Sequence, residues 1–162
     1  MKFLADCMLG KLARWLRILG YDAAYDNHAE DNDLLAAAER ENRILLTRDR
    51  PLYERARSLP CVFVEKNELD HQIAQLVTEV GLDLDRETFT RCLECNVPIL
   101  DADLEQVRMS VPPFVLKSQT QFYKCPACLR VYWSGSHTDR MEARLSAIRQ
   151  AVQQRRETIS NG

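Results

Sequence analysis

The sequence predicts an α/β fold: a short parallel sheet flanked by helices, followed by a small cysteine-held module with a C-terminal helix. Three observations predict it. Short apolar runs at 2–5, 23–25, 43–47 and 61–64 alternate with stretches of helical periodicity, the rhythm of strand–helix–strand crossovers. That rhythm breaks after about residue 85. Beyond the break stand two Cys-x-x-Cys pairs, Cys92 with Cys95 and Cys125 with Cys128.

The elements follow in order. Residues 2–5 read as a buried strand ending at Asp6. A helical pattern comes next, with Met8, Leu9, Leu12, Trp15, Leu16 and Leu19 on one side and Lys11, Arg14 and Arg17 on the other. Gly20 closes it, since a residue without Cβ accepts the left-handed conformation after a helix. Residues 23–25 form a second strand and 27–32 a polar turn. Residues 33–42 read as a helix with Leu34, Leu35 and Ala38 inward. Residues 43–47 are the clearest strand and lead to Asp49, and Pro51 suits the first turn of a short helix. Residues 61–64 are a further strand. Residues 68–80 form an amphipathic helix on Leu69, Ile73, Leu76, Val77 and Val80, stopped by Gly81. Past the break, a helical stretch is expected near 101–109, strands at 122–124 and 130–133, a turn at 134–137, and a last helix over 138–154 carrying Met141, Leu145, Ile148 and Val152.

The 162 residues suffice for one core or two small ones, and no apolar run is long enough to span a membrane. Asp6, Lys11, Arg14 and Arg17 interrupt the first apolar stretch, which therefore does not read as a signal peptide. Six cysteines fit a reducing, cytoplasmic setting if four hold metal and Cys7 and Cys61 stay as small core residues. Charge is uneven: residues 1–88 carry 12 Lys and Arg against 17 Asp and Glu, whereas 89–162 carry 10 against 7. An acidic half joined to a basic half suits a cation site beside a polyanion-binding module.

A Cys-x-x-Cys pair bites one metal from a single tight turn, and two such pairs give the tetrahedral four-sulfur site that structural zinc prefers. Cys92, Cys95, Cys125 and Cys128 are therefore the expected zinc ligands. Such a site staples a module and leaves the chemistry to other residues. Asp6 and Asp49 each follow a strand, which places both at the carboxyl edge of a parallel sheet, where such folds keep their ligands. Asp31 and Asp33, with Glu30 beside them, begin a helix that starts near the same edge. An oxygen-only cluster favours Mg²⁺ or Mn²⁺. The competing reading makes each aspartate a helix cap. Lys11, Arg14 and Arg17 read either as a phosphate-binding stripe or as a solvated helix face. Arg48 and Arg50 flank Asp49. His137 reads as part of a helix start, and Tyr123, Tyr132 and Trp133 as the ribbon's apolar wall or as base-stacking rings.

Several runs together resemble a known family. Asp6 after its strand, Met8-Leu9-Gly10-Lys11-Leu12-Ala13-Arg14-Trp15-Leu16-Arg17, Gly20-Tyr21-Asp22, Ile44-Leu45-Leu46-Thr47-Arg48-Asp49 and Val131-Tyr132-Trp133 with Gly135-Ser136-His137 are similar to the Mut-seven C-terminal RNAse domain family over residues 2–148. That family is similar to PIN-domain nucleases and carries a C-terminal zinc ribbon. The resemblance implies a PIN-like three-layer domain over 1–85 and a zinc ribbon with closing helix over 86–154, while the polar tail over 155–162 is expected to fray. It implies a metal-dependent ribonuclease hydrolysing RNA phosphodiester bonds, with the ribbon assisting RNA binding. Asp6 matches the acid after the first strand, and Asp49 the acid of the Thr47-Arg48-Asp49 signature. Asp31, or alternatively Asp33, matches the helix-start acid. Mg²⁺ or Mn²⁺ would serve catalysis and zinc the fold, while Lys11, Arg14, Arg17 and Arg48 would meet RNA. The chain departs from the PIN pattern in its short spacing between the first and third acids and in having no clear fourth acid after Asp49, which puts two-ion chemistry in doubt. The alternative is a non-catalytic RNA- or ribosome-binding adaptor with a degenerate PIN-like half.

Overall fold

The computed structural model describes residues 1–160, with side chains through 154. The expected frayed tail, 155–162, falls outside the described side chains. The chain divides into two compact units, Met1–Asn96 and the remainder from Val97.

The first unit runs β1 (Lys2–Ala5), a 3-10 turn (Cys7–Leu9), α1 (Gly10–Ile18), β2 (Asp22–Tyr25), α2 (Asp31–Glu41), β3 (Ile44–Thr47), α3 (Arg50–Arg55), β4 (Cys61–Phe63) and α4 (Leu69–Val80). Its four strands are all parallel, in the order β2-β1-β3-β4. The chain steps from β1 out to β2, then back past β1 to β3, so the winding reverses between β1 and β3. Right-handed crossovers on either side of such a reversal put α1 and α2 on opposite faces. The α2–α3 face is filled by Leu4, Leu34, Ala38, Leu45, Leu52 and Ala56. On the other face α1 packs with α4, and Phe3 meets Tyr21 edge-on at 5.6 Å between ring centroids. Strand alternation makes this sorting: Leu4 points to one layer, Phe3 and Ala5 to the other.

Asn42, with φ 51°, closes α2 and Gly81, with φ 68°, closes α4. At Gly20 two demands coincide: φ is +77°, and an added Cβ would lie 2.5 Å from the Glu87 carbonyl oxygen. That contact belongs to the segment after α4, which folds back along the first unit rather than leaving it near residue 85. Phe89 N–H donates to the Ile18 carbonyl at 2.8 Å, and the Tyr21 hydroxyl both donates to the Asp83 carbonyl at 3.0 Å and accepts from the Asp83 N–H at 2.8 Å. This hold is why the compact unit extends to Asn96.

The second unit holds β5 (Leu100–Ala102), α5 (Leu104–Val107), α6 (Pro113–Ser118), β6 (Phe122–Lys124), β7 (Val131–Trp133) and α7 (Ser136–Ser160). Its antiparallel sheet has the order β5-β6-β7. Two expectations change here. The helix read over 101–109 gives its first residues to β5, because Leu100–Ala102 pairs with β6, and Asp103 then opens α5 with a full capping box to Gln106. Pro113 opens α6, a helix that the paired prolines concealed. Val107, Val111, Val115 and Phe122 form one core cluster of this unit, with Val131 and Trp133 against it. The last helix begins at Ser136, so His137 stands in its first turn.

Candidate functional site

The reversal between β1 and β3 is where an open parallel sheet leaves a crevice at its carboxyl edge. Asp6 and Thr47 end these two strands, and a continuous chain of hydrogen bonds joins them to Asp49. The Asp49 N–H donates to Thr47 Oγ1 at 2.9 Å, and the Thr47 hydroxyl donates to Asp6 Oδ2 at 2.5 Å. The Arg48 N–H also donates to Asp6 Oδ2, at 2.8 Å, and the Met8 N–H to Oδ1, at 2.9 Å. Asp6 is only 3 % exposed and Thr47 fully buried, while Asp49 is exposed. Asp49 Oδ1 accepts from the Leu52 N–H at 2.8 Å, capping α3. Asp6 caps the 3-10 turn in the same way. Both aspartates are thus caps, and both follow strands at the carboxyl edge of the sheet. A carboxylate offers about four acceptor sites. Asp6 uses three in these bonds, and Asp49 one.

The other expected acids lie apart from this pair. The Asp31 carboxylate is ion-paired to Arg55 at 3.0 Å, and Arg55 also bonds Asn32. Glu30, not Asp31, occupies the cap position of α2. Asp33 lines a cavity of about 380 Å³ together with Leu4, Ala24, Tyr25, Asp26 and Arg40. Among the described residues no trio of carboxylates gathers as ion ligands. The three-aspartate cage does not assemble in this structure, which leaves Asp6 and Asp49 as the joined acids at the carboxyl edge.

The basic residues divide. Lys11 is exposed. Arg14 is paired with Glu94 at 2.9 Å. Arg48 donates to Asn67 Oδ1 at 2.5 Å, and Arg50 lies over the Phe63 ring at 4.6 Å. Arg17, expected on the same stripe, is 7 % exposed and turned into the protein. The next residue along a helix face need not share its neighbour's solvent, and Arg17 sits in the last turn of α1, where the segment 82–96 covers it. Burial pushes its pKa down, against the opposing charges of Glu94 and Cys92. Cys61 is half-buried, and burial, with the Asp6 charge added, pushes its thiol up to about 11.

The Sγ atoms of Cys92, Cys95, Cys125 and Cys128 all lie within 4.8 Å of one another. Ligands at Zn–S bonds of 2.3 Å in a tetrahedron stand about 3.8 Å apart, so the set is of the right size and chemistry for zinc. The two turns repeat one geometry. The Cys95 N–H points to Cys92 Sγ at 3.3 Å and the Cys128 N–H to Cys125 Sγ at 3.4 Å. The residue after each second cysteine, Asn96 and Leu129, has φ of 63° and donates its N–H to the carbonyl of the first.

A network the sequence did not announce lies at the other end of the sheet. Arg43 donates to Asp22 at 2.5 Å, to Glu41 at 2.6 Å and to the Phe3 carbonyl at 3.1 Å. Asn96 donates to Asp22 at 2.7 Å and accepts from the Ala23 N–H at 2.9 Å. Burial pushes the Asp22 carboxyl up, but the bonds from Arg43 and Asn96 and the nearby Arg43 and Arg91 charges outweigh it and hold it below its ordinary range. The one available signal was the pairing of Arg43 at a strand start with Asp22 at another.

Among the described residues no helix is long and apolar enough to cross a membrane. Comparison with the curated proteins and with the solved structures found no match. The Mut7-C RNAse domain model matches residues 1–145, nine-tenths of the sequence. With that extent of match, and with a parallel sheet and a four-cysteine cluster both in place, the chain belongs to the Mut7-C RNAse domain family.

Proposed function

We propose that the chain hydrolyses RNA phosphodiester bonds at the carboxyl edge of its parallel sheet, with Mg²⁺ or Mn²⁺ held by Asp6 and Asp49. A ribonuclease-type function follows from the family. The observation that carries the finer reading is the Asp6–Thr47–Asp49 chain bridging β1 and β3 at the point where the winding reverses. A divalent ion bound there would supply an activated water and offset charge on the leaving oxygen. The protein's own part is preparation. Thr47, fixed by the Asp49 amide, aims its proton at Asp6 and so orients that carboxylate. Arg48 and Arg50 on one flank, and Lys11 and Arg14 on α1, offer cations to the phosphate backbone. Zinc on the four cysteines would serve the fold of the ribbon, which assists RNA binding.

The second reading, a non-cutting RNA-binding adaptor, draws on a specific observation: Asp31 is engaged by Arg55 instead of joining the other acids. One experiment separates the two. Cleavage of mixed RNA with Mn²⁺ is compared for the wild type and Asp49→Asn. Asparagine caps a helix as well as aspartate does, so α3 keeps its cap while the charge at the edge is lost. Activity should fall about 100-fold or more, the scale of removing a reacting-site electrostatic group. Equal cleavage by both proteins, or none by either while both bind RNA, defeats the hydrolytic reading.

A further inference from the structure

Arg17 is a buried arginine whose hydrogen bonds run to backbone carbonyls. Its Nε donates to the Ala23 carbonyl at 2.9 Å, and its Nη1 donates to the carbonyls of Leu93 at 2.7 Å and Glu94 at 3.0 Å. Leu93 and Glu94 are the two residues between Cys92 and Cys95. Taking a guanidinium out of water is costly, and the structure keeps it buried nevertheless.

Peptide geometry shows what the three bonds accomplish. A carbonyl and the following N–H lie in one plane and point in opposite directions. Anchoring the Glu94 carbonyl on Arg17 therefore turns the Cys95 N–H the other way, toward Cys92 Sγ, where it is found at 3.3 Å. Anchoring the Leu93 carbonyl orients the Glu94 N–H likewise. Four thiolates around one divalent ion also leave a net negative centre, which a nearby desolvated cation stabilises.

We propose that Arg17 is the buried cation of the metal centre, clamping the first cysteine turn in its ligating shape and offsetting the thiolate charge. This rests on the four cysteines holding zinc. Arg17 is thereby a positioning residue of the zinc site and not a contact for RNA, although it shares a helix stripe with Lys11 and Arg14. The guanidinium suits the task because its fixed fork reaches several carbonyls together, which an ammonium cannot reproduce.

The test uses the full chain loaded with zinc. Zinc transfer to a chromophoric chelator is followed for wild type, Arg17→Met, Arg17→Lys and Arg14→Met, and cobalt(II) substitution is read from its thiolate absorption band. Outer-sphere partners typically govern metal affinity by 10–100-fold. Arg17→Met should lose zinc about 10-fold faster or more, Arg17→Lys at an intermediate rate, and Arg14→Met at the wild-type rate. A folded Arg17→Met with wild-type zinc release overturns the proposal. If that variant does not fold, Arg17→Lys decides it, and wild-type release from Arg17→Lys overturns the clamp. A wild-type chain that takes up neither zinc nor cobalt overturns the metal reading itself, and the proposal with it.

Discussion

At the amino end of the four-stranded sheet, Asp22, Glu41, Arg43 and Asn96 satisfy one another, and the first cysteine turn is bonded to the same place through Asn96 and Arg17. At the carboxyl end, Asp6 and Asp49 bond to amides and to Thr47, and among the described residues neither is ion-paired. The two ends lie on one sheet, and both are built around aspartate. The difference is in what remains unspent. Neutralised charge at the amino end holds structure together, while carboxylates with acceptor capacity left over are what a cation or a reacting water needs. The separation also puts the first cysteine pair at the end of the sheet away from the candidate reaction.

The largest expected effect tests the amino end as structure. Arg43→Met removes the cation from Asp22 and Glu41 and leaves Asp22 in a partly buried site with the Asn96 bond and the Arg91 charge. Breaking such a pair from one side costs about 3–5 kcal/mol, read as a lower denaturant midpoint with an unchanged slope. Asp49→Asn, which keeps the α3 cap, should cost less than about 0.5 kcal/mol by the same measurement. If the two variants were equally destabilised, the contrast between a structural end and a functional end would be lost.

A smaller effect sharpens the contrast through pH. The folded-state pKa of Asp22 is depressed, so its contribution to stability is complete above the ordinary aspartate value of about 3.9 and is lost as pH falls through the folded value. Arg43 stays charged throughout. The stability difference between wild type and Asp22→Asn should therefore be constant from neutral pH down to about pH 5 and shrink below pH 4. A difference that persisted undiminished into strong acid would mean that Asp22 acts by its hydrogen bonds alone, without its charge.

Much of the first unit could be read from the sequence because each β-strand is a short apolar run and each long helix has a clear stripe. β5 and α6 could not. Leu100–Ala102 is a strand only because β6 lies beside it, and α6 is announced by prolines that read equally well as a break. At the site, Asp6 and Asp49 were readable as residues that follow strands. Their actual bond partners were not, because Thr47 links them across a sheet register that no sequence spacing encodes. Arg17 was misleading for a similar reason: helical spacing assigns a face, but what covers that face is segment 82–96, some seventy residues later.

The smallest expected effect separates Arg14 from Arg17, one turn apart on α1. The Arg14–Glu94 pair is 46 % and 45 % exposed at its side chains. Solvent and salt screen such a pair, so Arg14→Ala should change stability by no more than about 0.5 kcal/mol. Its effect should appear with RNA instead. A lysine or arginine that neutralises one phosphate contributes about 0.7–0.9 to the slope of log affinity against log salt. Arg14→Ala should lower that slope by about this amount and leave the preference among RNA sequences unchanged, since a phosphate contact carries no base information. Release from Glu94 comes first, and Glu94→Ala, which leaves Arg14 unpaired, should strengthen RNA binding slightly at low salt. Should Arg14→Ala instead cost as much stability as an amino-end variant, with no change in the salt slope, Arg14 would join Arg17 as part of the hold on the cysteine turn, and α1 would have no side facing RNA beyond Lys11.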